Sequence, residues 1–121
     1  MKLPNYENAI VPQAKVTNYL LSLTHPDGSS KARFFIRFGF SANSWEVLAS
    51  ALYNHAAAHE VVKVEASPFG TRYVIEGKLI TPDHRNPMIR AVWFIGNEEA
   101  IPRFATAYPL EVKENDNDPG I

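Results

Sequence analysis

The chain has 121 residues, 45% hydrophobic and 12% aromatic, with a net charge of −1 and no cysteine. One folded domain with its own core fits this size and composition, and disulfides, thiolate metal sites and a cysteine nucleophile are excluded. Net charge so near zero is not the basic footprint usual in a nucleic-acid binder, and no apolar run approaches the roughly 18 residues of a membrane span.

The start, Met1-Lys2-Leu3-Pro4-Asn5-Tyr6-Glu7, lacks the apolar stretch of a signal peptide, so a cytoplasmic protein with no membrane contact is expected. Pro12 suits the first turn of a helix running to about Ser22, with Val16, Tyr19, Leu20 and Leu23 as its apolar stripe. After the polar break Thr24-His25-Pro26-Asp27-Gly28, Ser29 or Ser30 is placed to cap a short helix over 31–38, closed by Gly39. A third and longest helix is predicted from Ser41 or Asn43 to about His59, with Asn43 and Glu46 at capping-box spacing. Its apolar side holds Trp45, Leu48, Ala49, Leu52 and Ala56.

From Val61 the hydrophobic period changes to two. Strands are predicted over 61–66, 71–80, 88–95 and 103–108, joined by the turn Ser67-Pro68-Phe69-Gly70, the loop 81–87 and the turn 96–99. Short links make consecutive strands antiparallel neighbours. The fold class is therefore α+β, with about three N-terminal helices followed by a four-stranded antiparallel β-meander over residues 1–110. Residues 111–121 carry a charge of −3 against +2 for the rest, and form a polar tail expected to lack fixed structure.

Two clusters carry chemistry. On the last strand, strict alternation puts Phe104, Thr106 and Tyr108 on one side and Arg103, Ala105 and Ala107 on the other. A hydroxyl, a phenol and a guanidinium on one rigid strand can grip a ligand, although an edge strand facing water has the same composition. The second cluster is the junction His25-x5-Lys31-x-Arg33, where an imidazole and two cations meet a helix N-terminus. Lys31 opposes the helix dipole there and adds nothing to helix stability, which points to a use elsewhere. His55 and His59 sit at i and i+4 but have no Glu between them and no third ligand nearby, so main-chain or solvent contacts are expected rather than a metal. The run Asp116-Asn117-Asp118-Pro119-Gly120 is too short to close a calcium loop. On the third strand Trp93 shares the face of Ile89, Ala91 and Ile95, while Arg90 lies opposite with Val92. Arg72 on the second strand is a comparable cation among apolar neighbours.

The motifs His25-Pro26-x-Gly28-x-x-Lys31-Ala32-x-Phe34-Phe35, Pro68-Phe69-Gly70-Thr71-x-Tyr73-Val74-Ile75-Glu76-Gly77, Arg90-x-Val92-Trp93-Phe94-Ile95 and Pro102-Arg103-x-x-Thr106-Ala107-Tyr108-Pro109 together resemble a small bacterial domain family of unknown function. Its members also occur at the C-termini of polymorphic-toxin-like chains. More loosely, helices followed by a four-stranded sheet with Thr-x-Tyr on the last strand are similar to the barnase, EndoU, colicin D and RelE group of metal-independent ribonucleases. That resemblance implies a ribonuclease toxin held by a cognate antitoxin or immunity protein, needing no cofactor. His25, Lys31, Arg103, Thr106 and Tyr108 would then be catalytic, and Arg33, Arg72, Arg90 and Trp93 would contact RNA. His25 would serve as acid or base. The alternative is a non-catalytic protein-interaction module of the same fold.

Overall fold

A computed structural model describes residues 1–110. The expected polar tail, and the Asp-rich run within it, lie outside the described residues. Three helices precede one antiparallel sheet whose strands stand in chain order, as the change of period predicts.

The first helix (α1, 13–20) starts as an α-turn, Gln13–Lys15, and continues as a π-helix, Val16–Leu20. Pro12 caps it from outside in an extended conformation. The wider turn and the early end change which residues face inward: Val16, Leu20 and Leu21 are buried, whereas Leu23 is exposed. The second helix (α2, Ser29–Arg37) is capped by Gly28, and neither Ser29 nor Ser30 caps it through a side chain. Its C-terminus is a Schellman motif: Phe40 N–H donates to Phe35 O and Gly39 N–H to Ile36 O, with Gly39 at φ 106°. The Phe35 and Phe40 rings complete that motif with an edge contact. The third helix (α3, Trp45–Ala58) follows a 3-10 turn, Ala42–Ser44, which makes Ser44 the cap. The capping box expected at Asn43 and Glu46 therefore does not form; no side chain caps this helix.

Strands β1 (Val61–Ser67), β2 (Gly70–Lys78), β3 (Met88–Gly96) and β4 (Arg103–Pro109) form the sheet. All three helices bury their apolar sides on one face of it. Leu20, Phe35, Leu48 and Leu52 meet Ile75, Ile89, Trp93, Phe104 and Ala107 there. Each such side chain contributes about 1.5–3 kcal/mol by leaving water. Trp93 is fully buried with its ring edge-on to Phe104 at 5.4 Å. It belongs to the core and cannot touch a substrate, which corrects its expected role as an RNA contact.

Strict alternation fails on β4. Trp93 pairs with Phe104 but Val92 pairs with Thr106, so Ala105 is an extra residue, a β-bulge. One inserted residue exchanges faces for everything before it. Phe104 therefore turns into the core, and Arg103, opposite Phe94, joins Thr106 and Tyr108 on the open face.

The C-terminal turn of α3 is latched to β2 by two imidazoles. His55 Nε2 bonds Gly77 O at 3.1 Å and His59 Nε2 bonds Lys78 O at 3.0 Å. Both histidines thus meet main chain, but on the neighbouring strand, and His55 is buried. Among the described residues no group of three His, Asp or Glu side chains is placed to hold a metal ion. A Cβ on Gly77 would lie 2.6 Å from the His59 ring. Gly77→Ala should therefore break the latch and cost about 2 kcal/mol, within the range for overpacking; urea unfolding measures it, and a loss below 0.5 kcal/mol (about the error of additivity for independent sites) would show that the latch gives way freely.

Candidate functional site at the last strand

The site begins with the π-turn in α1. It carries Tyr19 to the outer edge of β4, where the phenol lies 3.0 Å from Thr106 Oγ1. Round that ring stand the groups of the 25–31 junction. His25 meets it edge-on at 5.1 Å, Lys31 Nζ lies 5.5 Å from its centre and Lys15 Nζ 5.4 Å. Gly28 allows the approach: a Cβ there would collide with Tyr19 O. His25, Lys31 and Thr106, distant in sequence, are thus assembled by Tyr19.

His25 is held firmly. Its Nδ1 accepts the amide N–H of Asp27 at 2.9 Å and of Gly28 at 3.1 Å, the two residues just before α2, and so fixes the turn that leads into the helix. Two N–H donors on Nδ1 leave the ring hydrogen on Nε2. In this arrangement His25 presents an N–H donor to the site and has no free lone pair. Lys31 Nζ also donates to Asp27 O at 3.3 Å.

Beyond Thr106 the open face of the sheet forms a groove of about 500 Å³ floored by Val74 and Val92 and reaching Tyr108. Tyr108 pairs with Arg90 across the strands, and the guanidinium lies 5.8 Å from the phenol ring centre. Arg90 Nε donates to Glu76 at 2.7 Å, while Arg72 pairs with Glu65 at 3.3 Å. Two of the three arginines expected to contact RNA, Arg90 and Arg72, are thus on the open face, but each already holds a carboxylate. Such half-exposed pairs contribute little to stability and exchange readily for another anion. Arg103 shares the face by register, yet its side chain lines a separate depression with Ile10, Glu99 and Ala100. Arg33, two positions from Lys31, projects roughly 200° round α2 and is exposed away from the cluster.

Sequence reasoning missed Tyr19 and Lys15. Tyr19 fits an apolar helical stripe as well as any core residue. Only the π-turn, which leaves no mark in Val-Thr-Asn-Tyr-Leu, turns it to the strand.

The fold has a solved counterpart. It is similar, with a TM-score of 0.67 and 18% identity over 88% of this chain and 97% of the other, to a chain of a contact-dependent growth inhibition toxin–immunity protein complex from Klebsiella pneumoniae 342. No curated protein matches the sequence. Residues 2–111 match the family described as "Domain of unknown function (DUF6883)", and with nearly the whole chain covered, the protein belongs to that family.

Proposed function

We propose that the protein is a metal-independent ribonuclease toxin, kept inactive by a cognate antitoxin or immunity protein. The observation that carries this reading is the Tyr19–Thr106 contact with His25, Lys31 and Lys15 packed round it. A cationic junction and a polar strand meet at one point, as a phosphodiester site requires. The fold shared with a chain of a toxin–immunity complex supports the partner half of the proposal.

RNA carries its own nucleophile. Its 2′-hydroxyl gives its proton to water as the oxygen attacks the adjacent phosphorus. The bond to the 5′-oxygen breaks as that oxygen takes a proton from water, and the fragments end in a 2′,3′-cyclic phosphate and a 5′-hydroxyl. Preorganised cations and N–H or O–H donors stabilise the charge that builds on the phosphoryl oxygens. Lys31 and Lys15 supply the charge in this reading. Thr106, Tyr19 and the His25 Nε2–H orient the phosphate, and Tyr108 and Arg90 extend the track along the open face. Arg103, at the far start of β4, contacts a flanking phosphate.

The interaction-module reading has one observation in its favour: the Nδ1 lone pair of His25 is taken up by the Asp27 and Gly28 amides, so the ring already has a structural task. Substitution separates the two. His25→Ala should remove about 1 kcal/mol of stability, the order of a lost intramolecular hydrogen bond, and abolish growth inhibition. His25→Asn keeps an acceptor for the amide two residues on but lacks the Nε2–H. It should fold normally and remain inactive when expression is induced without the partner. Full growth inhibition by His25→Asn would make the imidazole purely structural.

A further inference from the structure

We infer that the groove between α1 and the 25–28 turn is a nucleotide subsite that binds a base with exocyclic amino donors in single-stranded RNA. The inference rests on the proposed ribonuclease reading. The groove, of about 520 Å³, is lined by Ala14, Lys15, Asn18, Tyr19, His25 and Asp27. Its two rings are fixed before any ligand arrives. Tyr19 is tied by its phenol to Thr106, and His25 by two main-chain amides. Immobile, partly exposed rings set edge to face are a stacking platform whose ordering cost is already met. π-Turns are rare in helices and concentrate at functional sites. This one creates the platform, since it is what brings Tyr19 to the groove.

Charge orients the ligand. The two ammoniums lie over the Tyr19 ring, whose phenol contacts Thr106, the place given above to the scissile phosphate. Asp27 is the one acid lining the groove and is exposed. A second phosphate would meet its carboxylate, whereas a neutral ring bearing N–H groups would be gripped by it. Adenine, cytosine and guanine each offer an amino group. Uracil offers a single ring N–H between two carbonyl oxygens that the carboxylate repels.

The test is titration of the isotope-labelled protein with the four nucleoside 3′-monophosphates and with inorganic phosphate, followed by NMR. The adenine, cytosine and guanine nucleotides should bind about tenfold tighter than the uracil nucleotide, as one base-edge pairing warrants, and should move the Tyr19 and His25 signals. Asp27→Asn should erase that preference without unfolding the protein. Equal binding of all four nucleotides and phosphate, no binding, or an unchanged preference in Asp27→Asn would overturn the subsite. Binding is read here without cleavage. Selective binding beside uncut RNA would therefore reject the ribonuclease activity and keep the groove, and cut RNA without selective binding would do the reverse.

Discussion

If the proposed ribonuclease reading holds, Lys31→Ala should lower RNA cleavage by about 10²–10³-fold, the usual cost of removing one preorganised group that stabilises transition-state charge. It should relieve growth inhibition and leave the fold intact. The separation of the two effects follows from where the lysine stands. It occupies the first turn of α2, where the helix dipole disfavours a cation, and its ammonium makes one long contact to Asp27 O. Removing it should therefore leave the melting temperature unchanged or slightly raised. Its place beside Tyr19, 5.5 Å from the ring centre, is what the phosphate site would lose. Lys31→Arg keeps the charge and should recover part of the activity. A Lys31→Ala protein that is stable and fully toxic would remove Lys31 from the site.

Stability should fall steeply between pH 6.5 and pH 4, and His55 should cause most of the fall. Burial pushes its pKa down from 6.5 to about 4, against the opposing pull of the Gly77 carbonyl and with a smaller push from His59. Nε2 points at that carbonyl and so carries the ring hydrogen, which leaves Nδ1 as the atom a second proton must join. Nδ1 is buried without a partner. Above pH 6.5 the ring is neutral in both states and has no effect. Below 6.5 the unfolded chain takes up a proton that the folded protein refuses until about pH 4. Stability is lost across that window, by about 3 kcal/mol at its lower end, and the loss then levels off. Urea unfolding of the protein and of His55→Gln, at pH 7, 5.5 and 4.5, gives the difference directly. The gap between them should close as pH falls; parallel curves would show that His55 titrates normally.

Much of the architecture was legible because helices and strands impose different periods on the same apolar residues. The switch at Val61 located the sheet, and Gly39 located the end of α2. Features that depend on one inserted residue were not. The bulge at Ala105 leaves Arg103-Phe104-Ala105-Thr106 reading like a regular strand, so Phe104 and Arg103 were assigned to the wrong faces. In α1 the helix ends at Leu20, so Leu23 leaves the predicted stripe for solvent, while Tyr19 packs against the core and also reaches Thr106. Capping was misread at α2, which starts after Gly28 and where neither Ser29 nor Ser30 caps through its side chain. For the site, the sequence identified the residue types and the junction, since a lysine placed against the helix dipole is visible in one dimension. The hub that joins His25 and Lys31 to Thr106 is a tertiary contact and is not.

One measurement separates the ribonuclease from the interaction module. Protein purified free of the proposed partner and supplied with a chelator is incubated with total RNA, and the termini of the fragments are identified by mass spectrometry. Fragments ending in 2′,3′-cyclic phosphate and 5′-hydroxyl, absent with Lys31→Ala, are the predicted result. RNA that remains intact while the same preparation binds the proposed partner protein tightly would contradict the ribonuclease and leave an interaction module.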